Sequence, residues 1–267
     1  MIKYGFIGCG NMGGALAKAV CRKVQPSEVA LSNRTVSKAE KLAGELGAMA
    51  VSNERNASEA HFIFLGVKPQ IMKDLLKDIK AFLKSRKDGF VLVSMAAGLS
   101  IQDIRDMAGV NAPVIRISPN TPVAIGEGIV LLTCSEDVSE QDKSDFLQAM
   151  SGCGLITEIP ENLHAIGGAL SGCGPAFADM FVGALADGAV ACGLPRAQAM
   201  SIAAQMVVGS GKLILESGRH PEELKDAVCS PGGTTIQGVR TLEERGFRGA
   251  AMDAIIAAYE KNLRLKN

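Results

Sequence analysis

The sequence contains no tryptophan, and only 4% of its 267 residues are aromatic. Its 28 basic residues equal its 28 acidic residues, so no net charge remains when histidine is neutral. Without a basic surface, nucleic-acid binding has little electrostatic support, and no nucleic-acid partner is expected. Because 47% of the chain is nevertheless hydrophobic, the core is expected to consist of Ala, Val, Leu, Ile and Met.

Cysteine pairs with redox or metal-binding spacing are also missing. The number of cysteines is odd, seven, and no two lie within four residues of each other. No CxxC site and no metal site are therefore predicted. The N-terminal apolar run is broken by glycines and Asn11, which argues against a signal peptide, and uncharged stretches elsewhere are too short for a membrane span. We expect a cytoplasmic protein with reduced cysteines and no membrane partner.

What the sequence does contain, near its start, is the pattern of a dinucleotide-binding turn. An apolar run from Tyr4 to Ile7 precedes the glycine motif, and an alanine-rich helical pattern follows it. The candidate cofactor-binding residues of this turn are Gly8, Cys9, Gly10, Asn11, Met12 and Gly13. The first glycine permits a sharp bend, the second admits a pyrophosphate, and the third allows close packing of helix on strand. A glycine-rich turn without a ligand is the alternative, because GxGxxG alone is weak evidence.

Short apolar runs alternate with helical patterns over residues 1–160. Strands are predicted at 3–8, 29–32, 49–52, 61–67, 90–94, 114–118, 128–134 and 155–159. The intervening helices are predicted at 11–24, 35–46, 69–83, 100–107 and 139–151. This alternation predicts an α/β domain of Rossmann type with a doubly wound, mostly parallel sheet.

From residue 161 to 267 the strand signals vanish, which predicts a second, all-α domain. Apart from the histidine, the stretch from His164 to Lys212 carries only four charged residues: Asp179, Asp187, Arg196 and Lys212. Helices that are apolar nearly all round must be buried, and a domain of this size cannot bury several of them by itself. We therefore expect a homodimer through the C-terminal helices, with a higher oligomer left open. An unusually apolar monomer core is the alternative.

The end of the second predicted strand bears on the choice of cofactor. An NAD site usually has a carboxylate about 20 residues beyond the glycines, but this chain has Ser32-Asn33-Arg34-Thr35 there. Asn33 and Arg34 suit a 2′-phosphate, which favours NADPH. Use of NADH stays open, because a guanidinium can also stack on adenine. An arginine in a surface turn is the alternative.

Two later strand ends are predicted to border the same crevice, since ligands of doubly wound sheets bind beyond the carboxyl ends of the strands. Small residues there would leave room for a nicotinamide ring. These candidate cofactor-binding residues are Val67, Lys68 and Pro69 after the fourth strand, and Ala96, Ala97 and Gly98 after the fifth.

A second constellation, residues 229–235 (CSPGGTT), precedes a helical run. Consecutive N–H groups at a helix start form an anion site, here suited to a carboxylate. By itself the motif is better explained as an ordinary helix start capped by Thr234 or Thr235. No Ser/His/Asp arrangement or carboxylate pair can be argued, and structural roles are expected for His61, His164 and His220. A hydride transfer needs none of these groups, because the cofactor carries the chemistry.

With these motifs assembled, the chain resembles the pyrroline-5-carboxylate reductase family nearly from end to end. The motifs that carry the resemblance are residues 8–13 (GCGNMG), 67–69 (VKP), 96–98 (AAG), 119–122 (PNTP), 171–177 (SGCGPAF), 186–188 (ADG), 193–195 (GLP), 224–226 (LKD) and 230–235 (SPGGTT). The last motif is the most specific. The chain departs from the family pattern at Ser118, where Met is usual, at Cys173, where Ser is usual, and at Phe177, where Tyr is usual.

The resemblance implies a fold, a reaction and residue roles. The helical domain would interleave with a second subunit, and 1-pyrroline-5-carboxylate would be reduced to L-proline with NAD(P)H. Substrate-binding residues would be Ser230, Gly232, Gly233, Thr234 and Thr235, with the substrate carboxylate on Ser230 and the amides. Thr235 would hydrogen-bond the ring nitrogen, as the one catalytic residue, and Asn53 would reach a cofactor ribose.

Two other functions are weighed against this one. A β-hydroxyacid dehydrogenase would need a catalytic lysine at the start of the second domain, but residues 163–211 contain no lysine. A non-catalytic NADP sensor would keep the fold without the substrate loop, and the intact motif at 230–235 argues against it.

Overall fold

The computed structural model describes residues 1–264. Its strands are β1 (Tyr4–Ile7), β2 (Val29–Ser32), β3 (Met49–Ala50), β4 (Phe62–Leu65), β5 (Val91–Ser94), β6 (Val114–Pro119), β7 (Gly128–Cys134) and β8 (Gly154–Glu158). They form one sheet in the order β3-β2-β1-β4-β5-β6-β7-β8. Only the β6–β7 pair is antiparallel, so the predicted mostly parallel sheet is confirmed.

Helices cover both faces of this sheet. The first ones are α1 (Asn11–Cys21), α2 (Val36–Leu46), α3 (Asn53–Glu59), α4 (Pro69–Ser85), α5 (Ile101–Ala108) and α6 (Glu140–Met150). Short 3₁₀ turns occupy Pro26–Glu28, Thr121–Ile125 and Glu161–Leu163. Along β1 the side chains alternate between two cores: Phe6 lies in the core that includes α1, α2 and α6, and Ile7 in the core that includes α4 and α5. Burial on both faces explains why the strand sequences are continuous apolar runs.

The expectation of an aliphatic core is wrong for one face of the sheet. Phe6, Phe62, Phe64 and Phe146 are among the largest fully buried side chains. The rings of Phe6 and Phe64 stack with centroids 4.2 Å apart, because residues in register on neighbouring parallel strands point to the same face. Tyr4 belongs to the same cluster, so aromatic side chains fill much of the core on this face of the sheet.

Helix α3 is absent from the sequence-based assignment, which has a strand over 49–52 instead. Strand β3 ends at Ala50, and the Ser52 hydroxyl accepts the N–H of Arg55 as an N-terminal cap. The helix was missed because its seven residues are mostly polar and show no apolar period, while its buried residues are only Asn56 and Ala57. The Ser52 cap and two hydrogen bonds from Asn56 Nδ2, to Phe6 O and to Ser32 Oγ, hold this helix in place.

The described part of the chain divides into two compact units, residues 1–172 with 259–264 and residues 173–258. The second unit is helical throughout its regular structure, as predicted. From residue 164 onward the helices are α7 (His164–Gly168), a π turn (Ala169–Cys173), α8 (Gly174–Ala191), α9 (Arg196–Ser217), α10 (Pro221–Ala227), α11 (Thr234–Glu244) and α12 (Phe247–Leu263). The predicted division at 160/161 stays a prediction, and its last residues, 265–267, lie outside the described part of the chain.

Within the second unit, α8 and α9 pack through small residues. Ala186, Ala199 and Ala203 are the buried centre of this contact. Many large apolar side chains of the same unit are exposed; those on α9 are Met200, Ile202, Met206, Val208, Leu213, Ile214 and Leu215. One helical stretch, Glu161–Ala191, is long and apolar enough to cross a membrane by length and composition alone. The second unit thus leaves an extensive apolar surface uncovered in a single chain.

Candidate active site

A cavity of about 510 Å³ lies at the carboxyl ends of β1, β2 and β4, and we call it the turn cavity. Seven residues predicted to bind the cofactor line it: Gly8, Gly10, Asn33, Arg34, Asn53, Val67 and Lys68. These residues come from four separate stretches of sequence. The parallel sheet brings them together because its strands end at one edge, which is where doubly wound folds bind ligands.

The backbone of the glycine turn explains which glycines the fold itself requires. Gly8 has a positive φ of 102°, and its N–H donates to Ser32 O at 2.8 Å. A Cβ on Gly13 would collide with Gly8 O, since α1 passes directly over the turn. Gly10 differs, because no described atom lies within 4 Å of the position that its Cβ would take. Gly10 is therefore free of any packing requirement and leaves open space for a ligand.

The start of α1 is an available anion site. Gly10 is its N-cap residue, and no described side chain caps the helix. The first-turn N–H groups and the helix dipole would attract a pyrophosphate at this point. The amide of Cys9 is already in use, because it donates to Asn33 Oδ1 at 3.2 Å. Burial raises the pKa of the Cys9 thiol to about 11, so this residue supports the turn as a neutral thiol.

Asn33 and Arg34 play different parts at the end of β2. Both ends of the Asn33 amide are engaged, since Nδ2 donates to Thr35 O at 3.1 Å and Oδ1 accepts from Cys9. Arg34 is exposed and makes no ion pair with a described residue. Lys38 lines the cavity beside it. Neither cation pairs with a described carboxylate, although Asp74 and Asp78 line the same cavity, so both are available to a phosphate monoester. Asn33 instead holds the turn in shape.

A second cavity, of about 460 Å³, lies at the carboxyl ends of β5 and β6, and we call it the β6 cavity. It is lined by Met12, Ala97 and Gly98 from the predicted set. Ala96, also predicted, is instead buried in the core, 4% exposed. Four other predicted residues lie outside both cavities. Cys9 and Asn11 border a third, smaller cavity. Pro69 is the first residue of α4, and Gly13 is a buried packing residue of α1.

Sequence reasoning missed the polar wall of the β6 cavity. Arg116 is buried and pairs with Glu161 at 3.0 Å, and Glu161 also accepts the N–H of Ile101 at 2.7 Å. His164, for which only a structural role was expected, is 2% exposed and hydrogen-bonds Ser118 and Thr133. Burial, reinforced by the Arg116 charge, lowers the pKa of His164 to about 4, so its ring is neutral near pH 7. No local motif marks these residues, because they meet only through the sheet.

The predicted substrate loop, residues 230–235, lies in the second unit at the start of α11. Gly233 is the N-cap residue, so the alternative in which Thr234 or Thr235 caps the helix is wrong. No described side chain caps α11, and the Gly233 N–H donates to Ser230 O at 3.0 Å. Gly232 has a φ of 69°, which favours glycine. Ser230 and both threonines are exposed, so their hydroxyls and the first-turn amides are accessible to an anion.

Comparisons with known proteins assign the chain that carries these sites to a family. A family model described as pyrroline-5-carboxylate reductase dimerisation matches residues 161–265, and one described as NADP oxidoreductase, coenzyme F420-dependent, matches residues 3–98. The pyrroline-5-carboxylate reductase of Escherichia coli is 40% identical over 267 residues, which cover 98% of each chain. The chain belongs to the pyrroline-5-carboxylate reductase family. The expected family and fold are thereby confirmed.

Two further members of the pyrroline-5-carboxylate reductase family support the assignment. Pyrroline-5-carboxylate reductase 3 of Danio rerio is 39% identical, with 100% of this chain and 92% of that protein covered. The crystal structure of the Plasmodium falciparum enzyme with NADP bound superposes with a TM-score of 0.88 at 32% identity, covering 100% of this chain and 98% of the other. Membership of this family removes the β-hydroxyacid dehydrogenase alternative.

Proposed function

We infer that the protein is an oxidoreductase that reduces 1-pyrroline-5-carboxylate to L-proline, using NADPH and with NADH as a possible substitute. The observation that carries this function is the match along the whole chain to pyrroline-5-carboxylate reductases. The turn cavity with its exposed Arg34 and the start of α11 without a side-chain cap both agree with this reaction. When bound, NADPH supplies the hydride that goes to the C=N carbon of the substrate.

For the cofactor, we propose that the turn cavity holds the adenosine half. The α1 N-terminus binds the pyrophosphate, Arg34 and Lys38 bind the 2′-phosphate, and Asn53 bonds the ribose. Val67 and Lys68 form the opposite wall. The nicotinamide half lies in the β6 cavity beside Ala97 and Gly98, where small side chains leave room for the ring.

For the substrate, we propose that the carboxylate binds at the start of α11. The hydroxyl of Ser230 and the amides of Gly232, Thr234 and Thr235 bind it, and the partial positive charge of the helix start matches a carboxylate. Gly233 shapes the turn between them, because its own N–H donates to Ser230 O. Thr235 hydrogen-bonds the ring nitrogen as the catalytic residue. Because a protonated imine is already electrophilic, orientation by these groups supplies much of the rate without an acid–base pair.

The protein assembles as a homodimer through its C-terminal helices. The exposed apolar side chains of α8 and α9 are the surface that a second copy covers, and this use accounts for the apolar stretch at Glu161–Ala191 without a membrane. We also propose that the protein is cytoplasmic. Its seven cysteines are all free, as a reducing compartment requires.

An oxidation assay tests the reaction directly. The purified protein is expected to consume NADPH only when 1-pyrroline-5-carboxylate is added, with L-proline appearing in equal amount. Protein that binds NADPH but does not turn over with this imine would be a sensor rather than an enzyme. Two measurements distinguish an enzyme from a sensor: proline formation by chromatography and NADPH consumption by the absorbance of the reduced nicotinamide.

The role of Arg34 predicts a change in cofactor preference. Arg34→Ala should weaken NADPH binding by about 10- to 100-fold, because a charge-assisted bond to the 2′-phosphate is lost, and should change NADH binding by less than about threefold. The control is Arg55→Ala, since Arg55 is also exposed but pairs with Glu59 on α3. Isothermal titration with each cofactor measures the effect. Equal losses of affinity for NADPH and NADH would mean that Arg34 contacts the adenine rather than the 2′-phosphate.

A further inference from the structure

Ser118, His164 and Thr133 form a chain of hydrogen bonds along the wall of the β6 cavity. The His164 Nδ1 atom lies 3.1 Å from Ser118 Oγ, and its Nε2 atom lies 2.8 Å from Thr133 Oγ1. Ser118 and His164 line the cavity, on β6 and α7 respectively. The proposed function assigns no role to this series of hydrogen bonds, and Ser118 stands at a position where the family pattern has no hydroxyl.

The direction of every hydrogen bond in the chain can be deduced. Thr133 Oγ1 also lies 2.5 Å from Ile159 O. A carbonyl oxygen can only accept, so the single hydroxyl proton of Thr133 is donated to Ile159. Thr133 must then accept from His164, which places the ring proton on Nε2.

The other nitrogen of the ring then determines the role of Ser118. His164 is buried, and with a pKa lowered to about 4 its ring is neutral near pH 7. A neutral imidazole carries one proton, so Nδ1 can only accept. Ser118 must therefore donate its own proton to His164. The remaining lone pairs of Ser118 Oγ receive no hydrogen bond from a described residue, which leaves this oxygen as an acceptor at the cavity wall.

We propose that Ser118 selects the nicotinamide ring orientation by accepting a hydrogen bond from the carboxamide NH₂ group, with His164 and Thr133 as positioning residues. This inference rests on the proposed placement of nicotinamide in the β6 cavity. The carboxamide is the only polar substituent of that ring, and its NH₂ group is a donor that an obligate acceptor recognises. The charged groups that line the same cavity, Arg116 and Glu161, are paired with each other at 3.0 Å.

A cofactor analogue tests the contact without relying on turnover. In the reduced 3-acetylpyridine analogue of NADPH, a methyl ketone replaces the carboxamide, so the N–H donor is gone. Ser118→Ala should weaken NADPH binding by about fivefold and leave the binding of the analogue within about twofold of wild type. The control is Ser151→Ala, because the exposed Ser151 hydroxyl bonds only Gln148 O and lies outside both cavities. Dissociation constants from isothermal titration supply the comparison.

Thr133→Val tests the positioning chain. Without the Thr133 hydroxyl, the His164 proton can move to Nδ1 and turn Ser118 into a donor, so binding should shift toward the analogue, whose ketone only accepts. Nitrogen-15 spectra of labelled histidine should show the Nε2–H tautomer of His164 in the wild type and its loss in this variant. These spectra also remain informative if Ser118→Ala fails to fold.

Three outcomes would overturn the inference. They are an equal loss for NADPH and the analogue in Ser118→Ala, an effect confined to the KM of the imine, and an Nδ1–H tautomer in the wild type. Failure of the proposed function looks different, because the wild-type protein would then not bind NADPH or not reduce the imine at all.

Discussion

Gly10 and Gly13 belong to one motif but serve different purposes. Gly13 is buried where α1 crosses the turn, and a methyl group there would meet the backbone oxygen of Gly8. Gly10 is exposed, and its backbone angles, φ −72° and ψ −165°, are open to any residue. The fold therefore explains Gly13, whereas packing gives no reason for the absence of a side chain at Gly10, and the proposed pyrophosphate site supplies one.

This distinction predicts opposite results for two alanine substitutions. Gly10→Ala should leave the free energy of unfolding unchanged within about 0.5 kcal/mol but weaken NADPH binding on the order of tenfold, because the methyl group occupies the approach of the pyrophosphate. Gly13→Ala should lower the free energy of unfolding by about 1 to 3 kcal/mol through overpacking. Urea unfolding and NADPH titration measure the two quantities. Normal cofactor affinity in Gly10→Ala would show that the pyrophosphate binds elsewhere.

At the level of secondary structure, the start of α11 is the most informative element. The helix has no buried residue, no described side-chain cap and no acidic residue in its first turn. Such a helix start has accessible N–H groups and an unopposed positive end of the dipole. The loop that leads into it depends on glycine at Gly232, whose φ of 69° lies in the left-handed region. These features agree with the proposed binding of the substrate carboxylate at this helix start.

We predict that Thr235→Ala lowers kcat/KM for the imine by about 10- to 100-fold while NADPH affinity stays nearly constant, because the lost hydrogen bond is to the substrate ring nitrogen. Thr241→Ala is the matched control, since Thr241 lies on the same helix and its hydroxyl bonds Gln237 O. Steady-state kinetics and cofactor titration are the measurements. If NADPH affinity fell as much as kcat/KM, Thr235 would have to contact the cofactor.

For the molecule as a whole, the apolar surface of the second unit is the dominant feature. Ile202 on α9 is 59% exposed in the single chain, and other large apolar side chains surround it along the helix. Exposed apolar patches of this extent mark interaction surfaces. A homodimer therefore contributes stability that the isolated chain lacks.

A charge on this surface should dissociate the dimer. Ile202→Glu is expected to give monomers at micromolar concentration, because burial of an unpaired carboxylate costs several kcal/mol per ion. Ile125→Glu is the control, since Ile125 is even more exposed, at 76%, but lies outside the segment matched by the dimerisation model. Sedimentation velocity distinguishes the species. A dimer that survives Ile202→Glu would mean that α9 faces solvent.

Features with a strong local signal were predictable from the sequence. Strands β1, β4 and β5 are continuous apolar runs, and their burial on both faces follows from that pattern alone. Helix α3 was not predictable, because its polar sequence carries no period and it depends on Asn56, whose Nδ2 donates to Phe6 O on β1. The burial of Ala96 was not predictable either, because its neighbours Ala97 and Gly98 line the cavity while Ala96 lies in the core, and its part in cofactor binding stays a prediction.

The sequence by itself determined the kind of ligand: glycines in a fixed pattern after a strand require a close backbone approach, and Arg34 in place of a carboxylate suits a phosphate. It also determined that the apolar C-terminal helices need a partner. Only the tertiary structure decided how the β6 cavity is lined. Ser118, Thr133 and His164 come from separate strands and a helix, and the proton direction that links them depends on burial and distances that exist only after the sheet has formed.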